Sequence, residues 1–231
     1  CALLDMGANV DTKATVLAQF AVLGEVFART KHKKPRPRVG LLSNGAEEHK
    51  GTNLTRETHA LLLRARERDD AGQARAEVDY VGYVEGRDIF KGDVDVVVTD
   101  GFTGNVLLKS CEGAVETVFR MVRDEIENAG PLTQLGALLM RPALKKLWKR
   151  TDASETGGAP LLGVDGVALV CHGGSNGRAI KNAVFAASEY ARTSLSDELS
   201  RAVARHAFLW REDGGDPDSR DDKQKKERLA S

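Results

Sequence analysis

Short apolar segments typical of strands alternate along this chain with longer segments of helical periodicity. Runs rich in Val, Leu or Tyr indicate strands at residues 39–42, 78–84, 95–98 and 167–171. Apolar spacing indicates helices at residues 12–30, 54–63 and 106–128, and a long one from about 178 to 208. This alternation predicts an α/β fold with a mostly parallel sheet.

Polar turns containing glycine follow the strand-like segments. They occupy residues 5–11, 43–51, 99–105 and 171–178. Parallel sheets bind ligands at the carboxyl ends of their strands, so we expect these four turns to converge on one cleft.

The turn at 99–105 combines two glycines with an acid and an amide. Gly101 and Gly104 would let backbone amides approach a ligand closely. We predict that Asn105 begins the next helix, where free N–H groups and the helix dipole favour an anion. Asp100 ends the strand, where its carboxylate would orient a nucleophile or a base. A tight turn with an Asn helix cap is the structural alternative.

The turn at 171–178 places a histidine before a glycine-rich helix start. His172 there is a candidate for acid–base chemistry or anion binding, although a purely structural histidine remains the alternative. Ser175 and Asn176 are residue types that cap helices, and Gly173, Gly174 and Gly177 leave the backbone bare. The spacing matches neither a dinucleotide-binding loop nor a P-loop.

The remaining turns carry ionisable groups without a metal-binding pattern. Lys50 stands between His49 and Gly51, where its ammonium group would hold a phosphate. The alternative is that this turn is a solvated charged loop. No spacing suits zinc, and the turn at 5–11 lacks the later Gly and Glu of a calcium loop. We therefore predict no bound metal.

Charge and cysteine usage exclude several classes of protein. Lys plus Arg and Asp plus Glu both number 34, which gives no overall attraction to nucleic acid. The three cysteines form no CxxC pair, so we expect free thiols in a cytoplasmic protein. No apolar run approaches the roughly 20 residues of a membrane span.

The two ends of the chain differ from its middle. Residues 1–5 read as the middle of a buried strand, so we expect a natural N-terminal part to be missing. Residues 209–231 mix both charges with Gly, Pro and Asp, which predicts a disordered tail.

The segment 130–150 is basic and amphipathic. Pro142 is predicted to divide it into two short helices that form a hairpin. Apolar residues flanked by Lys and Arg suit an anionic membrane surface, and packing against a second copy is the alternative. The residues predicted to make this contact are Leu135, Leu139, Trp148 and Lys145.

Five segments resemble, in order, the motifs of the PlsX family of phosphate acyltransferases. They are DMGANVD at 5–11, VGLLSNGAEEHKG at 39–51, DVVVTDGFTGNV at 95–106, GGAPLLG at 157–163 and HG at 172–173. The resemblance implies that residues 1–208 are the C-terminal portion of such an enzyme domain. It also implies a three-layer α/β/α fold like that of isocitrate and isopropylmalate dehydrogenases and phosphotransacetylases.

The resemblance implies a reaction and its setting. The reaction transfers an acyl group from acyl carrier protein to inorganic phosphate, and the acyl phosphate feeds a glycerol-3-phosphate acyltransferase. No metal or nicotinamide cofactor and no nucleic acid is expected. A homodimer attached peripherally to the inner face of the cell membrane is expected.

The resemblance also suggests roles for the residues of the turns. Phosphate would lie between the helix starts at Asn105 and Ser175, with Lys50 as its counter-charge. His172 would stabilise the oxyanion or protonate the leaving sulfur, and Asp100 would orient His172 or Lys50. The other residues predicted to line the site are Asn9, Gly101, Thr103, Gly104 and Gly173.

Three alternative functions stay open on the sequence. An acyl-CoA-dependent phosphotransacetylase shares the reaction type and differs in the acyl donor. A nicotinamide-dependent dehydrogenase is disfavoured by the absence of a GxGxxG loop. A non-enzymatic scaffold is disfavoured by the polar turns at the strand ends.

Overall fold

A computed structural model describes residues 1–64 and 78–210. Nearly all of the predicted charged tail at 209–231 lies outside the described residues. Contacts divide the chain into two compact units. Among the described residues, the first comprises 1–2, 12–64, 78–98 and 201–210, and the second comprises 3–11 and 99–200.

The main sheet is built from short, strongly apolar strands. Its strands are β1 (Ala2–Leu4), β2 (Arg38–Leu42), β3 (Asp79–Val84) and β4 (Val96–Val98). Their order is β1-β4-β2-β3, and β2 runs parallel to both β3 and β4. The three valines of β4 have no solvent exposure, as a strand covered on both faces requires.

Seven α-helices lie within residues 1–64 and 78–210. They are α1 (Ala14–Lys31), α2 (Asn53–Arg64), α3 (Asp88–Lys91), α4 (Gly101–Glu127), α5 (Pro131–Thr151), α6 (Gly177–Ala191) and α7 (Leu195–Arg205). Within the first unit, α1 packs on β4 and on α2 and buries Leu17 and Val26 completely. The structure thus confirms the predicted α/β class, and helices flanking a mostly parallel sheet are consistent with three layers.

Three predicted elements were wrong in extent. The helix expected up to residue 208 is broken between α6 and α7, where Ser194 donates a hydrogen bond to Glu198 and so favours a new helix start. The helix expected from residue 106 begins five residues earlier, at Gly101. The third is the strand expected at 167–171.

That strand proves to be part of a hairpin. Only Leu169–Val170 (β6) is extended, and it pairs antiparallel with Ala159–Pro160 (β5) in a separate two-stranded sheet. Gly163 and Gly166 have φ angles of 85° and 127°, which turn the chain back on itself. His172 therefore follows a hairpin strand and not a strand of the main sheet.

The basic segment 130–150 was expected to contain two short helices. Instead α5 runs through Pro142 without a break, and the hairpin is formed by α4 and α5. Pro142 removes one helical hydrogen bond, and the helix continues on both sides because the other bonds remain. Trp148 in α5 packs edge to face on Phe119 in α4, with ring centroids 4.8 Å apart, which joins the two helices.

Candidate functional site

The turn at 5–11 is organised around one carboxylate. Asp5 accepts hydrogen bonds from the backbone N–H groups of Gly7, Ala8 and Asn9 at 2.8, 2.9 and 2.6 Å, and from the Asn9 side-chain amide at 3.0 Å. Partial burial raises the pKa of Asp5, but these hydrogen bonds outweigh it, and the pKa lies below its usual value. The ionised carboxylate thus fixes the shape of the turn and the position of Asn9.

The start of α4 is capped by Asp100. One carboxylate oxygen accepts from the backbone N–H of Thr103 at 2.8 Å, and the other accepts from its hydroxyl at 2.8 Å. The structural alternative, in which Asn105 caps this helix, was wrong, because Asp100 is the cap and its side chain accepts from the Thr103 N–H. Asp100 is a helix cap here, and Thr103 is its partner.

The two glycines of α4 allow the turn at 5–11 to pack on the helix. The Gly101 N–H donates to the backbone oxygen of Asn9 at 2.9 Å, and a Cβ on Gly101 would lie only 2.7 Å from that oxygen. A Cβ on Gly104 would overlap the backbone oxygen of Asp5. Both glycines are buried by this protein contact, so the predicted reason for them, close approach of a ligand, was wrong.

Asn105 lies in the second turn of α4. Its backbone N–H is inside the helix and is not free to bind an anion, so only its side chain is available for the predicted role. That side chain is exposed and lies beside the turn at 5–11, where a Cβ on Gly7 would be 3.5 Å from the Asn105 Cβ. Asn105 therefore presents its amide beside Gly7 of this turn.

The turn at 171–178 leads into α6. The helix is capped by Asn176, whose side-chain oxygen accepts from the Ala179 N–H at 3.0 Å. Ser175 lies before the cap, and its N–H donates to the backbone oxygen of His172 at 2.9 Å. Of the two residues predicted as possible caps, Asn176 is therefore the cap and Ser175 is not. Gly173 is exposed, with open space where a Cβ would be.

His172 is held on both sides of its ring. Its Nδ1 accepts a hydrogen bond from the Gly174 N–H at 3.1 Å, and its Nε2 lies 3.2 Å from the Lys109 Nζ. Both carboxylate oxygens of Asp100 accept from Thr103, and the role of Asp100 in orienting His172 or Lys50 stays a prediction. Lys109 was missed by the sequence analysis, although it follows Asn105 by four residues and so lies on the same face of α4.

One face of α4 thus brings together three of the four turns. The turn at 5–11 lies against Gly101, Gly104 and Asn105, and the turn containing His172 meets Lys109 one helical turn further along. Residues four apart on a helix have Cβ atoms about 6 Å apart. Asn105 and the Lys109–His172 pair are therefore neighbours within the second unit.

The turn at 43–51 belongs to the first unit. The Asn44 side chain accepts from the Gly51 N–H at 2.9 Å, and the Lys50 N–H donates to the Glu47 backbone oxygen at 2.9 Å. The aliphatic part of Lys50 covers Gly45, where a Cβ would lie 2.9 Å from the Lys50 Cγ. The part that Lys50 plays in the site stays a prediction.

The residues predicted to contact a membrane do not share one face. Leu135 and Leu139 are exposed on α5, whereas Trp148 is nine residues beyond Leu139 and so lies about half a turn away, packed on Phe119. Lys145 is exposed on the C-terminal half of the helix. Within residues 1–64 and 78–210, no helix is both long and apolar enough to cross a membrane.

Comparison with known proteins gives matches along most of the chain. Residues 1–198 match the model of a family described as "Fatty acid synthesis protein". Curated proteins named "Phosphate acyltransferase" are similar: that of Geotalea uraniireducens is 51% identical over 207 residues, which cover 90% of this chain and 56% of that protein. The protein of Geobacter sulfurreducens is 52% identical over 200 residues, 87% of this chain and 54% of its own length. The protein of Myxococcus xanthus is 51% identical over 208 residues, which cover 90% of this chain and 56% of that protein. The chain spans about half the length of the curated relatives it matches.

Proposed function

This chain belongs to the fatty acid synthesis protein family, and on that premise we propose that the complete protein transfers an acyl group to inorganic phosphate. The acyl donor is acyl carrier protein and the product is an acyl phosphate. The names of the similar proteins support phosphate as the acceptor. The observation that carries the proposal is the convergence of three polar turns on one face of α4.

The proposed reaction makes two demands on the site. A phosphate oxygen attacks the thioester carbonyl carbon, the carbonyl becomes a tetrahedral oxyanion, and the C–S bond then breaks to release a thiolate that takes up a proton. Phosphate must be oriented, and the oxyanion must receive hydrogen bonds from groups already in position. Phosphate is itself a nucleophile, so the reaction needs no acyl-enzyme intermediate.

The side chains along α4 suit these demands. Because the Nδ1 of His172 accepts from Gly174, a neutral ring carries its proton on Nε2 and presents one donor to the substrates. The amide of Asn105, on the same face of α4 as Lys109, offers further donors, and so does the amide of Asn9 in the turn at 5–11. Lys50 serves as a counter-charge for phosphate, and Asp100 holds the start of α4 and so positions Asn105.

An acyl-phosphate assay with the complete protein tests the proposal. Palmitoyl carrier protein and radiolabelled phosphate should yield a labelled product that partitions into organic solvent, and omission of the carrier protein should abolish it. Faster turnover with palmitoyl-CoA would instead favour the phosphotransacetylase type of enzyme. If neither donor yields acyl phosphate, the proposed function is wrong.

Three substitutions examine the site itself. His172→Ala, Asn105→Ala and Lys50→Ala should each lower kcat/KM by about 10²–10³-fold, the usual cost of one oxyanion-stabilising group. Ser110→Ala is the matched control, because Ser110 is exposed on the same helix about 140° away from Asn105. Wild-type turnover in all three variants would contradict this placement.

We also propose that α5 attaches the protein to the inner face of the cell membrane. Its exposed leucines follow the turn between α4 and α5, where Leu132 and Leu139 are 83% and 76% exposed. Lys145 and neighbouring basic residues suit anionic headgroups. Attachment would deliver the acyl phosphate to a membrane-bound glycerol-3-phosphate acyltransferase.

Flotation with anionic liposomes tests the attachment. Leu139→Glu should weaken binding severalfold, because it places a charge on the apolar face of α5. Thr133→Glu adds the same charge to an exposed position about 120° away and should bind nearly as the wild type does. Equal flotation of all three proteins would remove the lipid role.

The exposed apolar face of α4 supports a homodimer. Val118, Met121 and Val122 are 58%, 60% and 42% exposed and line one groove. A second copy of the chain would cover them. Met121→Glu should then shift sedimentation of the complete protein toward the monomer, and an unchanged dimer would place the interface elsewhere.

A further inference from the structure

The side chains of Lys109 and His172 lie close together, and Lys109 has no role in the reaction proposed above. The Nζ of Lys109 lies 3.2 Å from the Nε2 of His172, and it also pairs with the Glu112 carboxylate at 2.7 Å. Lys109 extends from α4, whereas His172 lies in the turn before α6. Two separate elements of the second unit thus direct nitrogen atoms at one point.

The Nζ of Lys109 and the Nε2 of His172 cannot form a hydrogen bond with each other when the ring is in the tautomer that the Gly174 N–H favours. The Gly174 N–H donates to Nδ1, so a neutral ring carries its proton on Nε2. An ammonium group has donors only. The Nε2–H of His172 and the Nζ of Lys109 are therefore two donors 3.2 Å apart with no acceptor between them.

In the opposite tautomer, a different pair of hydrogen-bond donors faces each other. If Nε2 accepts from Lys109, then Nδ1 carries the proton and faces the Gly174 N–H, which is also a donor. A neutral imidazole has one acceptor nitrogen, and both of its neighbours are donors. Either way, two donors face each other, and an acceptor from outside the protein can bridge them.

We propose that Lys109 and His172 together bind an oxygen of inorganic phosphate. One oxygen between Nζ and Nε2–H turns two opposed donors into two hydrogen bonds to an anion, which are among the strongest in proteins. Asn105 lies one helical turn away on the same face and binds a second oxygen. This inference rests on the proposed function, since it identifies where that reaction binds its phosphate.

Glu112 is a positioning residue in this arrangement. Its contact with Lys109 spans three residues of one helix, and both side chains are over a third exposed. Such exposed pairs contribute little to stability. The contact instead directs the flexible lysine toward His172, so its loss should weaken phosphate binding without unfolding the helix.

Steady-state kinetics of the complete protein with phosphate varied test the assignment. Lys109→Met should raise the KM for phosphate by about 10- to 100-fold, the effect of losing one charge-assisted hydrogen bond, and leave the KM for the acyl donor unchanged. Lys109→Arg should restore most of the affinity, and Glu112→Gln should lie between the wild type and Lys109→Met. Lys91→Met, which removes an equally exposed lysine from a similar ion pair with Asp88 on α3, should behave as the wild type.

Calorimetric titration with inorganic phosphate separates this inference from the proposed function. Loss of affinity in Lys109→Met, at an unchanged melting temperature, supports the site even if the wild type yields no acyl phosphate. An active wild type whose Lys109→Met variant keeps its phosphate KM and affinity would overturn the assignment and leave the proposed reaction intact.

Discussion

Replacing Gly104 by alanine tests how closely the turn at 5–11 is packed on α4. The added Cβ would overlap the Asp5 backbone oxygen and lie 2.9 Å from its carbonyl carbon and 3.1 Å from the Thr99 Cγ2. Real Cβ atoms almost never come within 3.0 Å of another heavy atom, so the turn and the helix must separate. That separation strains the hydrogen bond from Gly101 to Asn9.

The expected loss of stability is the sum of two unfavourable effects and one favourable effect. Overpacking costs about 1–3 kcal/mol, and weakening one hydrogen bond costs about 0.5–1.5 kcal/mol. Alanine is favoured over glycine inside a helix by about 1 kcal/mol. We therefore expect Gly104→Ala to lower the free energy of unfolding by about 1–3 kcal/mol.

Gly113 provides the matched control on the same helix. A Cβ at Gly113 meets nothing within 4 Å, so Gly113→Ala should stabilise the protein by about 0.5–1 kcal/mol through helix propensity alone. Urea unfolding of the complete protein measures both variants. If Gly104→Ala is as stable as Gly113→Ala, the turn is not packed on the helix as described.

Three further predictions concern the contacts around α4. Asp100→Ala should lower the free energy of unfolding by about 0.5–2 kcal/mol by leaving the Thr103 N–H uncapped, and Asp100→Asn should recover part of this, as urea titration will show. Because the folded pKa of Asp5 lies below its usual value, its stabilisation is present above about pH 4 and is lost as the pH falls through the folded pKa. The difference in free energy of unfolding between the wild type and Asp5→Asn should therefore become smaller as the pH falls below about 4 in acid unfolding experiments. A difference that becomes larger would contradict this assignment. Trp148→Ala should loosen α5 from Phe119 and speed amide hydrogen exchange in both helices, whereas equal exchange would show that the ring contact does not hold the hairpin.

The sequence predicted elements well where one local signal dominated. The valines at 96–98 indicate a buried strand because β-branched apolar residues suit a sheet covered on both faces, and the structure buries them completely. Residues 167–171 carry a similar signal, yet only two of them form a strand. There the glycines at 163 and 166 decided the outcome, because their left-handed conformations make a hairpin.

The candidate site was harder to predict, because its contacts join distant parts of the chain. Asp100 and Asn105 are both good capping residues, and sequence alone does not decide which one caps α4. The need for glycine at 101 and 104 arises from the backbone of Asn9 and Asp5, about 95 residues earlier. The helical spacing from Asn105 marks Lys109, but its approach to His172 depends on the hairpin and its turn.

The packing around α4 makes activity a more sensitive measure than stability for the proposed site. The helix fixes the separation of Asn105 from Lys109, and the glycines fix how closely the turn containing Asn9 approaches. Gly104→Ala must move that turn by about 1 Å or more to relieve the overlap. Misplacing a substrate-binding group by about 1 Å is enough to slow an enzyme by about 10²-fold. A variant that still folds should therefore lose most of its turnover, because the moving turn carries Asn9 away from α4 while His172 and Lys109 stay in place.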